Sequence, residues 1–231
     1  FKNSKRIICC TEAMQDYYNK KYNISTDLLY HSIPDSKFNF SSAHKPKSKS
    51  DKFTIAYAGS ISELMNLDAF QTMKKALKIL PENFCLRIYP ISKINLELIG
   101  LKDKKIKQEI VSREELKIKL SQANLVFAPL AFNSPNIKEI KTVFSNKLLS
   151  YLVSGTPILS FAPKDCYHNR SASDGGWGIV LDENNEKKLA KTILDFYKGE
   201  YDNNHLLKNA KNEAEKRRAS LAAKKIRKWI N

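Results

Sequence analysis

Apolar residues along the 231-residue chain follow two rhythms that take turns. Mainly apolar runs at Phe53–Ala58, Phe84–Tyr89, Leu125–Pro129 and 157–162, with shorter candidates at 108–111 and 178–181, have the length of strands. Between them Leu67, Phe70, Met73, Leu77 and Leu80 recur at helical spacing up to Pro81, and further helices are predicted over Arg113–Gln122, 146–153 and 186–197. Strands that alternate with helices in this way predict an α/β fold, a parallel sheet joined by right-handed crossovers and flanked by helices. Such sheets bind ligands at the carboxyl ends of their strands, which directs attention to the loops after Ala58, Tyr89, Val111 and Pro129.

The two ends of the chain read differently. An apolar run at 6–10 predicts a strand, Thr11 is placed to cap a helix over Glu12–Tyr22, and 27–32 predicts a second strand ending at the turn Ile33-Pro34-Asp35. Periodicity lapses over 36–51, where Ser, Lys, His and Pro give the composition of an exposed connector. The expected organisation is therefore a short opening segment, 1–35, a linker, 36–52, a main α/β domain, 53–200, and a basic tail, 201–231. The tail reads as one helical run over 206–230 with Leu221, Ile226, Trp229 and Ile230 as its apolar residues.

Composition adds a class and a sign. Hydrophobic residues make up 42% and charged residues 28%, which supplies a core and excludes global disorder. No run approaches the roughly 20 apolar residues that cross a bilayer, and Phe1-Lys2-Asn3-Ser4-Lys5-Arg6 lacks the apolar centre of a secretion signal. Cys9, Cys10, Cys85 and Cys166 show no CxxC spacing and read as reduced core thiols, as in a cytoplasmic protein. Forty basic residues against twenty-four acidic give a net charge of +16, which attracts nucleotides, nucleic acids and anionic lipids alike. The tail could lie on an anionic membrane surface or present a solvated face. His31, His44, His168 and His205 lack metal-ligand spacing and read as solvent or turn residues, and with no HExxH or DxD segment no metal is expected.

Two stretches offer chemistry. In Tyr57-Ala58-Gly59-Ser60-Ile61 a strand runs into a glycine-led turn, where the missing Cβ lets backbone approach a ligand; an ordinary strand-to-helix turn is an equal reading, since no GxGxxG or GxxxxGK[ST] loop is present. In the stretch from Phe144 to Leu159, Ser145 or Asn146 can cap a helix whose N-terminus favours an anion, and Lys147 adds a full charge. Gly155 ends that helix and Pro157 prevents its continuation, so that the unit offers a phosphate site facing Gly59. The Gly- and Ser-rich segment 171–178 reads as a flexible loop before a strand.

The second stretch, Ser145-Asn146-Lys147-Leu148-Leu149-Ser150-Tyr151-Leu152-Val153-Ser154-Gly155-Thr156-Pro157-Ile158, resembles the P-S-K-L-F-E-Y-L-A-A-G-K-P-V-I segment of GT-B glycosyltransferases of the group 1 or family 4 type. Other stretches are similar in the same order. Thr11-Glu12-Ala13-Met14 resembles the strand-then-Ser-helix that closes the acceptor domain, His31-Ser32-Ile33-Pro34 the N-G-I-P crossover, and Ala56-Tyr57-Ala58-Gly59-Ser60 the Y-x-G-x loop. Met65 to Phe70, Val111 to Leu116, Ser121 to Leu125, Pro129 and Gly175-Gly176 continue the likeness.

The resemblance implies a Rossmann-like domain that is the C-terminal, nucleotide-sugar-binding half of a GT-B fold, with a remnant of the N-terminal acceptor domain before it and a tail that packs back across the junction. The implied activity is transfer of a sugar from a UDP- or GDP-type nucleotide sugar to a glycan or lipid-linked acceptor, with retention at the anomeric carbon. It would take place in the cytoplasm or at the inner face of the membrane, with no further cofactor and no nucleic acid partner. Gly59, Ser60, Val111, Ser145, Asn146, Lys147 and Ser150 would contact the nucleotide sugar, while the residue that positions the acceptor would come from the absent N-terminal domain, so no catalytic base is assigned.

The chain also departs from the pattern. Ser150 stands where the family carries a Glu that accepts the ribose hydroxyls, Ser60 and Leu64 stand where many members place Arg and Lys on the diphosphate, and Thr142 replaces the first Glu of E-x7-E. Lys147, with Lys138 or Lys141, is left to neutralise the diphosphate. Two rival classes stay open: a non-catalytic basic module that binds nucleic acid or anionic membrane, and a sugar-nucleotide epimerase, which would need an acid–base carboxylate pair that the strand ends do not supply.

Overall fold

The computed structural model describes residues 4–38 and 52–230. The chain opens with a parallel pair, β1 (Ile8–Cys9) and β2 (Asp27–Leu28), joined through α1 (Glu12–Tyr22). Thr11 caps α1 by accepting the Met14 amide at 3.0 Å, and Asn23 closes it in the left-handed conformation. A short 3-10 turn, Asp35–Phe38, follows and buries Phe38; His44 and the rest of 39–51 lie outside the described residues.

The main body is β3 (Phe53–Ala58), α2 (Leu67–Ile79), β4 (Phe84–Tyr89), β5 (Ile106–Gln108), α3 (Arg113–Gln122), β6 (Leu125–Pro129), α4 (Ile137–Thr142), α5 (Asn146–Leu152), β7 (Ile158–Phe161), α6 (Tyr167–Gly175), β8 (Ile179–Leu181) and α7 (Glu186–Lys198). Its six strands form one parallel sheet in the order β5-β4-β3-β6-β7-β8, the expected α/β class. Alternation along β3 sorts the two faces. Phe53, Ile55 and Tyr57 pack with α2 and α7 on one side, and Ala56 and Ala58 face Leu148, Tyr151 and Leu152 of α5 on the other. The small alanines let α5 sit close to the sheet.

Four expectations need correction. The strand expected at 108–111 is β5, two residues earlier: Lys105 is buried with its ammonium on the carbonyls of Leu77 and Leu80 at the end of α2, which starts the strand at Ile106, while Ile110 stays exposed. Helix α4 was not expected from periodicity, being a single short segment with one buried residue, Ile140. The loop expected at 171–178 is mostly α6, because Ala172 is drawn into the core beside His168 and Asn169; the helix ends at Gly176 with φ 59°. The tail is two helices, α8 (Asn203–Glu215) and α9 (Ala219–Ile230). They part where the Ile33 amide donates to the Arg217 carbonyl and the Ala219 amide to the Ile33 carbonyl, bonds that a continuous helix could not make.

That break is secured by a buried cation. The Arg217 guanidinium lies 3.7 Å from the Phe144 ring centroid and 4.5 Å from that of Tyr30, and Glu213 accepts from its Nε at 3.1 Å and Nη2 at 2.8 Å. Both side chains are almost completely buried, so the pair stands or falls together. Beyond it Asp35 accepts from Arg218 and Ser220, and Lys225 donates to the Leu28 carbonyl, which ties α9 to the opening segment. Replacing Glu213 by Gln keeps the shape and removes the counter-charge; urea unfolding should show a loss of about 3–5 kcal/mol, and a loss below about 1 kcal/mol would mean that the pair is dispensable.

Candidate nucleotide site

The sheet parts where its strand order reverses. β3 and β6 pair only through Ile55 with Leu125 and Ala56 with Val126, whereas β3 stays paired with β4 as far as Ala58 with Tyr89. Ligands of open α/β sheets bind in the crevice that such a reversal creates. Here Tyr151 of α5 enters it: its hydroxyl accepts the Ala58 amide at 2.8 Å and lies 3.3 Å from the Ala58 carbonyl. The backbone that loses a strand partner thus keeps its hydrogen bonds, and α5 is fixed against the end of β3.

Directly beyond, Gly59 has φ 123°, and its amide donates to the Tyr89 carbonyl at 2.9 Å. A Cβ here would lie 2.3 Å from Cε of Lys147, so the lysine stem runs across the glycine. The Lys147 ammonium lies 5.3 Å from the Tyr57 ring centroid. Burial holds its pKa below the ordinary lysine value, and among the described residues no carboxylate pairs with it. Tyr57 in turn donates to the Ser60 carbonyl and accepts from Asn66, whose side-chain oxygen takes the Ser62 amide at 3.0 Å. This network shapes the turn, and the amides of Ser60 and Ile61 have no acceptor among the described residues.

The other expected contacts fall into three groups. Ser145 precedes α5 as its N-cap residue, but its side chain makes no capping bond; α5 has only seven residues, so the full charge of Lys147 outweighs the helix terminus. Asn146 faces the crossover, its side-chain oxygen bonded to Nδ1 of His31. Ser60 is exposed just after Gly59, Ser150 is half-buried one turn beyond Lys147, and Val111 is half-buried in the loop after β5; none of the three lines the cavity that Lys147 lines. The alternative cations lie outside it. Lys138 is exposed on α4, and Lys141, also exposed, reaches Asp165 at 3.7 Å. Thr142 turns its hydroxyl back onto the Lys138 and Glu139 carbonyls, while its own carbonyl accepts from Thr11 at 2.7 Å.

Sequence reasoning missed two features. His168, read as a solvent or turn residue, is fully buried on α6, stacked on Trp177 at 6.2 Å, and neither ring nitrogen has a partner among the described residues. Burial, and then the Lys147 charge, push its pKa down to about 3. It lines a cavity of about 10 Å³ together with Tyr57, Pro129, Ser145, Lys147 and Tyr151. The second feature is Glu12, which accepts from the hydroxyls of both Tyr30 and Tyr167 and so joins α1, the crossover and α6. Its burial works against ionisation, yet the two hydroxyls, its own amide and Arg217 hold its pKa below the ordinary value. Neither had a signal in the sequence, since both depend on segments that meet only in the fold.

Solved structures with the same arrangement include HepE of Anabaena in complex with UDP-glucose, with a TM-score of 0.70 and 12% identity over 98% of this chain and 64% of that one. Sucrose-phosphate synthase of Thermosynechococcus elongatus has a TM-score of 0.68 and 14% identity over 99% and 58%, and a glycosyltransferase of Rickettsia africae 0.69 and 11% over 97% and 62%. The fold is the C-terminal half of GT-B. Identities this low establish the fold alone, and the chain spans about three fifths of the length of these GT-B proteins. No family model and no curated protein matches the sequence. Among the described residues no helix is long and apolar enough to cross a membrane, and no cluster of three or more His, Cys, Asp or Glu could hold a metal ion.

Two outcomes follow from this geometry. Gly59→Ala forces a Cβ into Lys147 at a backbone angle that L-residues avoid, so stability should fall by about 1–3 kcal/mol in urea unfolding; an unchanged midpoint would show that the turn relaxes freely. His168 is neutral in the fold and titrates near the ordinary histidine value of 6.5 when unfolded, so the unfolded chain binds the extra proton in between. Its contribution is complete above 6.5 and is lost as pH falls toward about 3, with a limiting slope of about 1.4 kcal/mol per pH unit. From about pH 7 to 4 the wild type should therefore lose stability faster than His168→Leu. Parallel curves would contradict a buried neutral imidazole.

Proposed function

We propose that this chain is the donor-binding half of a glycosyltransferase, taking a UDP- or GDP-type nucleotide sugar whose diphosphate is neutralised by Lys147 in the crevice between β3 and β6. The observation that carries this reading is the Lys147 side chain, half-buried, with no carboxylate partner among the described residues, and laid across Gly59, whose Cβ would displace it. An unpaired buried cation is costly unless an anion arrives. The site lies at the strand-order reversal of a fold shared with HepE, whose complexes contain UDP and UDP-glucose.

In this role Lys147 and the amides of Ser60 and Ile61 would surround the phosphates and stabilise the charge left on the nucleotide as the sugar departs. Ser150 would give the ribose a neutral contact, and Val111 would line the base. Transfer would go to a glycan or lipid-linked acceptor, with retention, and the acceptor-positioning groups would come from an N-terminal domain built onto β1 and β2. Isolated charge-assisted hydrogen bonds contribute about 1.5–3 kcal/mol, so Lys147→Ala should weaken UDP or GDP binding at least about tenfold in calorimetric titration. The reading fails if the wild type binds no nucleotide or nucleotide sugar better than millimolar. Salt-sensitive binding to DNA or anionic vesicles in its place would select the basic-module alternative.

A further inference from the structure

The cavity beneath Lys147 collects three polar groups that have no use elsewhere. Among the described residues both ring nitrogens of His168 are buried without partners, the Ser145 hydroxyl does not cap α5, and no carboxylate pairs with the Lys147 ammonium. The two tyrosine hydroxyls on the same wall are engaged, Tyr57 with Ser60 and Asn66, Tyr151 with Ala58. The volume of about 10 Å³ matches a single water, and a water needs two to four polar partners to be held in an interior. A purely apolar replacement at 168 would pack as well against Trp177, so stacking alone does not account for a histidine here.

We propose that His168 is a positioning residue of the nucleotide site, holding one water that bridges its ring to Ser145 and to the Lys147 ammonium and so aims that ammonium at the Gly59 turn. The inference rests on the donor-site reading for its functional consequence. Neutral imidazole offers one donor and one acceptor nitrogen, so it can accept from the water without adding a second charge beside Lys147. Tethered in this way, the lysine side chain gives up rotamer freedom before the ligand arrives, and less has to be lost on binding. Lys147 would be a poor anchor without it, since a four-carbon stem is otherwise free to swing out of the crevice.

The test compares wild type, His168→Leu and His168→Gln on the full chain, with UDP and GDP as titrants, thermal melting as the folding control, and a high-resolution crystal structure of the wild type. His168→Leu should bind the preferred nucleotide about tenfold more weakly while melting no lower than wild type, and His168→Gln, which can still hold a water, should recover most of the loss. A folded His168→Leu that binds as tightly as wild type would overturn the proposal and leave His168 a core residue. If His168→Leu does not fold, the crystal decides: a water within hydrogen-bonding distance of His168 and Lys147 supports the bridge, and a dry cavity overturns it. If the wild type binds neither nucleotide, the donor reading fails, and the same crystallographic observation still tests the bridge.

Discussion

The Tyr151 hydroxyl at the Ala58 backbone is the contact on which the crevice depends. A parallel sheet that reverses its strand order must part somewhere, and each strand end left without a neighbour exposes an amide and a carbonyl that cannot stay unpaired in a core. One side chain answers both groups of Ala58 and, in doing so, pins α5 to β3. Lys147 lies one helical turn before Tyr151, so fixing the tyrosine fixes where the lysine backbone stands beside Gly59. Removing the Tyr151 bond would loosen a backbone, a helix and a charge at once.

The crevice is polar where it should be expensive to be polar. A half-buried lysine, a histidine whose ring nitrogens have no partner among the described residues and a serine that forgoes its cap are each unfavourable alone. Their convergence on one small cavity is what the proposed anion site would use: charge in place, and few groups to be reordered when a ligand enters. Stability is recovered elsewhere, in the two-sided packing of the sheet and in the Arg217–Glu213 pair, which lies between Phe144 and Tyr30 and holds the opening segment against α8. The same arrangement joins Glu12 to Tyr30 and Tyr167, so the elements preceding the main domain are not a loose appendage.

Legibility followed burial. The strands β3, β4 and β6 were readable to the residue, because segments buried on both faces must be predominantly apolar, and α2 and α7 were readable because they face the sheet on one side and water on the other. Helix α6 was hidden because its inward face carries a histidine and an asparagine, residues that composition assigns to loops; Asn169 is held there by Ser160 and the Ala162 carbonyl, partners supplied by β7 and its following residue. β5 was displaced because exposed Ile110 and half-buried Val111 imitated a strand.

The sequence by itself determined the α/β class, the order of the central strands and helices, and the presence of a glycine-led turn and of a lysine-bearing helix start, since each is written in local periodicity and turn chemistry. Tertiary structure alone decided that Lys147 lies on Gly59 with no carboxylate partner among the described residues, that Tyr151 fills the parted sheet, and that His168 lines the same cavity as the lysine. These are contacts between segments 21 to 93 residues apart, and which of several lysines and histidines meets the strand end depends on how the sheet twists and where α5 and α6 come to rest, neither of which local periodicity records.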